Sequence, residues 1–166
     1  GKYEEAEVMH RRVLEGREKV LGKERQDALW SINNLALVLN NQGKYEEAKA
    51  MHQQGLDRRE KTLGKEHPYT LGSVNNLALV LENQGKYEEA EALHRRALEE
   101  REKKVLGKEH QDTLWSVNNL ALVLGNQGKY EEAEALHRRT LEGRGKVLGE
   151  EHQDTLWSVN NLALVL

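Results

Sequence analysis

The chain of 166 residues has no cysteine and no phenylalanine, and its one proline is Pro68. Without cysteine, disulfides and thiolate chemistry are excluded, and a reducing compartment is permitted. Cytoplasmic localisation is therefore the expectation. The longest apolar run, Leu-Ala-Leu-Val-Leu, falls far short of the roughly 18 residues of a membrane-spanning helix. No signal peptide is visible, and the chain opens inside a repeating unit, as an excerpt of a longer protein would. The net charge of −3, with both signs interspersed, makes no electrostatic case for nucleic acid or an anionic membrane.

What the chain does contain is one unit copied about four times. GKYEEA begins at Gly1, Gly43, Gly85 and Gly128, with offsets of 42, 42 and 43 residues. The copies run 1–42, 43–84, 85–127 and 128–166 as one array. Repetition at this length means stacked modules, each lending its apolar face to the next.

The third copy shows how each module is built. From Lys86 to Leu106, apolar or small residues fall at Tyr87, Ala90, Leu93, Ala97, Leu98, Val105 and Leu106, mostly in steps of three and four. That spacing predicts a long helix. Glu88, Glu89 and Glu91 open it, and Arg101, Lys103 and Lys104 stand near its end, in keeping with the helix dipole. Glu91–Arg95 and Glu99–Lys103 are favourable i,i+4 pairs, worth about 0.3 kcal/mol each. Gly107 is the expected left-handed stop.

A second, shorter helix is predicted over 112–126, with Leu114, Val117, Leu120, Ala121 and Leu124 on one stripe. Asp112 or Thr113 can cap it, and Pro68 takes the first-turn position in the second copy. No strand pattern occurs anywhere. The expected fold is all-α, with about eight helices in antiparallel hairpins. The chain opens with a longer helix and closes with a shorter one.

These residues resemble the tetratricopeptide repeat, whose pattern W-x2-L-G-x2-Y, A-x3-F, P spans about 34 residues. Here the blocks read Val117-x2-Leu120-Ala121-x2-Leu124 and Ala133-x3-His137. In place of the closing proline stand Glu18, Glu60, Glu102 and Gly145, so the longer helix can run on to Gly22, Gly64, Gly107 and Gly149. The REK-x-LGKEH-P and NNLALVL-x-NQGKYEEAE strings look like the kinesin light chain subclass. The resemblance implies a right-handed α-solenoid in which the shorter helices line a concave groove that binds a protein or peptide.

Carried onto this chain, the groove positions are Trp30, Asn33, Leu37 and Asn41, then Gly72, Asn75, Leu79 and Asn83. The third set is Trp115, Asn118, Leu122 and Asn126, and the last is Trp157, Asn160 and Leu164. Asparagine offers donor and acceptor together, so a ladder of them could hold an extended backbone; tryptophan could supply apolar anchors. The same ladder could instead bond neighbouring helices, and the tryptophans could cover seams between repeats. None of these positions is basic, so the expected groove is neutral and amide-lined, without the positive charge that chaperone-binding members and kinesin light chains carry.

Other recurring residues have structural readings. His10, His52, His94 and His137 stand where the family prefers Phe, and no HxxxH or HExxH spacing suggests a metal. His67, His110 and His152 adjoin loops and are expected to cap or pair locally. The pairs Glu4–Glu5, Glu46–Glu47, Glu88–Glu89 and Glu131–Glu132 open helices, where the dipole accounts for them. Gly143-Arg144-Gly145-Lys146 imitates a phosphate loop but lacks the preceding strand and the Lys-Ser/Thr end. It reads as drift that weakens a helix by about 1 kcal/mol per glycine.

Two irregularities carry expectations of their own. The extra residue at Lys103–Lys104 should be absorbed near the helix end, with Val105 and Leu106 still facing inward. Gly55 and Gly72 should make the second copy the loosest. The leading functional expectation is a non-catalytic scaffold with no cofactor. A purely structural or self-assembling array is the alternative, with end-to-end stacking through the first and last helices.

Overall fold

A computed structural model describes residues 1–105 and 108–166, with side chains up to Lys103 and from Lys108 onward. The stop at Gly107 and the inward orientation of Val105 and Leu106 lie outside what is described. Among the described residues there are eight α-helices and no strand. They are α1 (Lys2–Leu21), α2 (Gln26–Asn41), α3 (Tyr45–Leu63), α4 (Pro68–Asn83), α5 (Tyr87–Glu100), α6 (Gln111–Asn126), α7 (Tyr130–Leu148) and α8 (Gln153–Ala163). Long and short helices alternate once the turn Arg101–Val105 that continues α5 is counted, as the two apolar stripes of each copy require.

The chain divides into two compact units, Gly1–Gly85 and Lys86–Leu166, each of two hairpins. In the first unit α2 packs between α1 and α3, and α3 against α4. Its core is drawn mainly from the short helices: Leu29, Ile32, Leu35 and Leu39 of α2, with Leu71, Val74 and Leu81 of α4. The long helices contribute small residues such as Ala48, which let the neighbouring backbone approach. The second unit repeats the plan, with α6 between α5 and α7 and α7 against α8. Leu114, Val117, Leu120 and Leu124 of α6 form its interior with Ala90 and Ala133.

Helix ends follow from glycine and histidine. Gly43, Gly85 and Gly128 carry positive φ in the turns that open each new long helix, and Gly22, Gly64 and Gly149 do so where long helices stop. His67, His110 and His152 are N-caps, each Nδ1 accepting from the backbone N–H two residues on, at 3.1–3.2 Å. Capping by His110 corrects the expectation for Asp112 or Thr113: α6 begins at Gln111, and Thr113 is buried. Pro68 takes the first helical position of α4.

The extra residue of the third copy falls in a π-helical turn, Arg101–Val105, directly after α5. A π turn accommodates one additional residue without rotating what precedes it, so α5 keeps the register of the other long helices. The Glu91–Arg95 pair forms at 2.8 Å, and Glu99 pairs with Lys103. Glu91 also accepts from Lys129 at 2.8 Å, as Glu7 does from Lys44 at 2.7 Å, so each carboxylate ties its long helix to the turn before the next.

The two unusual glycines of the second copy behave differently. A Cβ at Gly55 would lie 3.2 Å from Ile32 Cγ2, so contact at this position is tight rather than loose. At Gly72 a Cβ would meet nothing within 4 Å, and the space of the missing indole stays open. Gly143 also departs from expectation. It is buried, with Leu114 Cδ2 only 2.7 Å from where its Cβ would sit, so it accommodates α6 as well as weakening α7.

Candidate partner-binding face

The expected groove residues do not share one environment. In the first unit Trp30, Leu37, Asn41, Leu79 and Asn83 are exposed, Asn33 is half-buried and Asn75 is buried. In the second unit Trp157, Asn160, Leu164 and Asn126 are exposed, Trp115 and Leu122 are half-buried, and Asn118 is buried. The apolar and aromatic members thus stand out while several amides sit beneath them.

Amides of successive copies pair with each other. Asn76 Nδ2 donates to Asn33 Oδ1 at 2.6 Å, and Asn161 Nδ2 donates to Asn118 Oδ1 at 2.9 Å. Each bond joins the second asparagine of one Asn-Asn pair to the first asparagine of the preceding copy. Asn83 Nδ2 donates likewise to Asn40 Oδ1 at 3.0 Å.

Beneath the tryptophans lies a feature that the groove positions alone did not reveal. Arg144, on α7, is buried; its Nη1 donates to the Asp154 carbonyl at 3.0 Å and to Ser158 Oγ at 2.9 Å. Ser158 Oγ in turn donates to the same carbonyl at 3.0 Å. Arg17 makes the same pair of bonds to Asp27 O and Ser31 Oγ, at 3.0 and 2.9 Å. Arg59 reaches Ser73, and Arg101 reaches Ser116 and the Asp112 carbonyl. Each arginine therefore clamps the first turn of the short helix that follows its own. Arg101, which stands near the end of its helix in keeping with the dipole, is also buried.

The clamps bring positive charge under the indoles. The Arg144 guanidinium lies 5.3 Å from the Trp157 ring centroid, and that of Arg59 lies 6.0 Å from Trp30. Burial lowers the Arg144 guanidinium from its ordinary range, and the Asp154 carboxylate counters this; Arg101 stands in the same relation to Asp112. The charged residues on the short helices themselves are Asp27, Glu82, Asp112 and Asp154, all acidic. The short helices of each unit are therefore more polarised than the neutral lining expected.

Each unit carries a recess beside its short helices. In the first unit Asn33, Leu37, His52, Asn76 and Leu79 help to line about 130 Å³. In the second, Gln111, Asp112, Trp115, Arg144, Asp154 and Trp157 line about 290 Å³. His52, His94 and His137 are buried in the slots expected for an aromatic ring, while His10 is half-buried. No group of three or more His, Asp or Glu among the described residues could hold a metal ion. No described helix is long and apolar enough to cross a membrane.

Alternating long and short helices, repeated in sequence and paired in space, define an array of antiparallel helical hairpins. The tetratricopeptide repeat family matches residues 1–61, 27–99, 69–144 and 112–166, and the chain belongs to that family. Its fold is similar to the nearly identical TPR-like repeats of a putative kinesin light chain from Podosopora anserina. A single-residue variant of that protein is 30% identical, with a TM-score of 0.84 over 99% of this chain and 77% of the other. A second structure of those repeats gives 30% identity and a TM-score of 0.82, covering 99% and 78%. BtubC from P. vanneervenii shares the fold at a TM-score of 0.84 and 23% identity, covering 99% of this chain and 65% of the other. No curated protein matches the chain.

Proposed function

We propose that the chain is a non-catalytic interaction scaffold that takes an extended segment of a partner protein along its short helices. Family membership supports the general role, since these repeats are generally protein–protein interaction scaffolds. The observation that carries the finer reading is selective exposure. Trp30 and Trp157 are 47% and 43% exposed, and Leu37 and Leu164 lie open beside amides already engaged within the array. Large apolar side chains held on rigid helices are the usual anchors of an interface. The binding set is Trp30, Leu37, Leu79, Trp115, Leu122, Trp157 and Leu164, with Asn41, Asn83, Asn126 and Asn160 as exposed amide contacts. Asn33, Asn75 and Asn118 lie deeper. Selection from a random peptide library tests this. Selected peptides should lose most of their affinity for Trp30→Ala and Trp157→Ala chains of unchanged helicity. No enrichment, or binding indifferent to both substitutions, would overturn the reading.

A second reading, self-association, has one specific observation in its favour. Residues 153–166 repeat 111–124 without a change, yet Leu156 is 55% exposed where Leu114 is 1%. Helix α7 covers α6, and α1 of a second copy carries much of the α7 sequence. Sedimentation over a wide concentration range tests this: growth in mass supports head-to-tail contact, and a constant monomer mass rejects it.

A further inference from the structure

Helix α7 lies on α6, and the counterparts of both surfaces are open on α1 and α8. On α8, Val159 and Leu166 are 46% and 77% exposed where Val117 and Leu124 of α6 are fully buried. Residues 1–22, which hold α1, repeat 128–149 except at Val8, Met9, Val13 and Glu18, and none of them is buried. We propose that α1 of a second copy lies on α8 in the register in which α7 lies on α6. The inference rests on the self-association reading and names the surfaces and the register of that contact.

Three relations single out this occupant. The first is a glycine. Leu114 of α6 lies against Gly143 of α7, only 2.7 Å from where a Cβ would sit. Leu156 is the counterpart of Leu114, and Gly16 is that of Gly143. A Cβ at Gly16 would meet nothing within 4 Å, so packing within one chain gives no reason for this helix-weakening residue. Leu156 of a second copy supplies one.

The second relation is charge. Glu7 and Arg11 of α1 bond with Lys44 and Glu47 at 2.7 and 3.0 Å. Glu91 and Arg95 of α5 bond likewise with Lys129 and Glu132 at 2.8 and 3.2 Å. The next pair in the series is Glu134 and Arg138 of α7, and the register sets Lys2 and Glu5 of the second copy opposite them. The Glu134 side chain is 34% exposed, against 13% for Glu7 and for Glu91. Where Arg58 meets Glu18 at 2.5 Å, the corresponding positions are Gly16 and Gly145, so neither face strands a charge.

The third relation is the amide series. Asn76 and Asn161 each donate to the first asparagine of the preceding copy. Asn34 is the counterpart of those donors and Asn160 that of the acceptors; both are exposed, and the register brings them together. The junction also extends the partner-binding face. The recess of about 290 Å³ is lined by Gln111, Asp112, Trp115, Arg144, Asp154 and Trp157. One copy further on, the same six residue types are Gln153, Asp154 and Trp157 of one chain with Arg17, Asp27 and Trp30 of the second. A further recess of this kind is complete only when two chains meet.

The test uses the 166-residue chain, whose lack of cysteine makes introduced thiols unique. Sedimentation velocity should show mass growing with concentration, as a head-to-tail contact requires. Gly16→Trp should leave helicity unchanged and raise the concentration needed for association about tenfold or more, as overpacking a close contact does. Mixed Asn34→Cys and Asn160→Cys chains should be coupled by a short bismaleimide, and neither chain alone should be. Glu15→Cys should not couple to Asn160→Cys, because the counterparts of Glu15 in the other copies, Asp57, Glu99 and Glu142, all face outward. Growth in mass that Gly16→Trp leaves untouched, or equal coupling of both pairs, would overturn the register and leave self-association standing. A constant monomer mass would overturn both.

Discussion

The Arg144 guanidinium meets the Ser158 hydroxyl at 2.9 Å, joining α7 to the helix that follows it. Arginine is seldom this buried unless its donors are used. Here a carbonyl and a hydroxyl accept from its Nη1, and Ser158 Oγ donates a hydrogen bond to the same carbonyl, so the three groups are joined in a ring. Replacing Arg144 by alanine should cost about 1.5–3 kcal/mol, the range for hydrogen bonds to a charged group. Lysine should rescue little, because an ammonium cannot both fork and stack on Trp157. Urea denaturation of the two variants checks both statements; rescue by lysine would show that charge alone matters.

The clamp also marks where reading from the sequence succeeded and where it stopped. In the third copy periodicity placed the start of α5 and both ends of α6 within a residue, because a stripe of Leu, Val and Ala has only one way to be buried. It missed the arginines, because residue type alone places Arg on a solvated face. The available signal was a constant offset: Arg17 to Ser31, Arg59 to Ser73 and Arg144 to Ser158 are all 14 apart. The exception, Arg101 to Ser116 at 15, contains the inserted residue that the π turn takes up. The histidine caps were half-visible, since imidazole lies outside the usual capping set and only its position suggested the role. Whether the amides bond to one another could not be read from spacing, because either asparagine of each pair can face the neighbouring helix.

His52 makes stability depend on pH. Burial, reinforced by the nearby Arg59 charge, lowers its pKa from 6.5 to about 4. The unfolded chain therefore binds this proton more readily, and the stabilisation is complete above pH 6.5. It should be lost as pH falls toward 4, by roughly 3 kcal/mol in all. Burial lowers His137 in the same direction. Glu7, held at about 2 by Lys44 and Arg11, loses its share only below about 4.5. Denaturation midpoints measured from pH 7.5 to 4 should fall steadily, and His52→Phe should flatten the curve. An unchanged slope would show that His52 binds its proton equally well in the folded and the unfolded chain.

Glycines inside helices separate by what surrounds them. A methyl group added at Gly145 would meet nothing within 4 Å, and the counterparts of this residue in the other copies are Glu18, Glu60 and Glu102. Gly72 has equal room. Gly145→Ala and Gly72→Ala should each stabilise by up to about 1 kcal/mol, the propensity difference between the residues. Gly143→Ala should not, because Leu114 must first move from 2.7 Å. Thermal melts of the three variants would decide, and a gain at Gly143 matching the others would show that Leu114 yields without cost.

The paired asparagines invite a sharper comparison. Asn161 is buried and donates to Asn118, whereas its neighbour Asn160 is exposed. Asn161→Ala leaves the buried Asn118 Oδ1 without its donor, and the Asn118 amide nitrogen already lacks an acceptor. The expected loss is about 1–3 kcal/mol. Asn160→Ala should stay within about 0.5 kcal/mol, as surface changes do. Replacing Asn118 and Asn161 together by leucine removes both halves of the bond, so the double variant should lose less than the two single leucine changes added together. Strict additivity in that cycle would show that the two amides do not depend on each other, and the 2.9 Å bond would then contribute nothing to holding α6 and α8 in register.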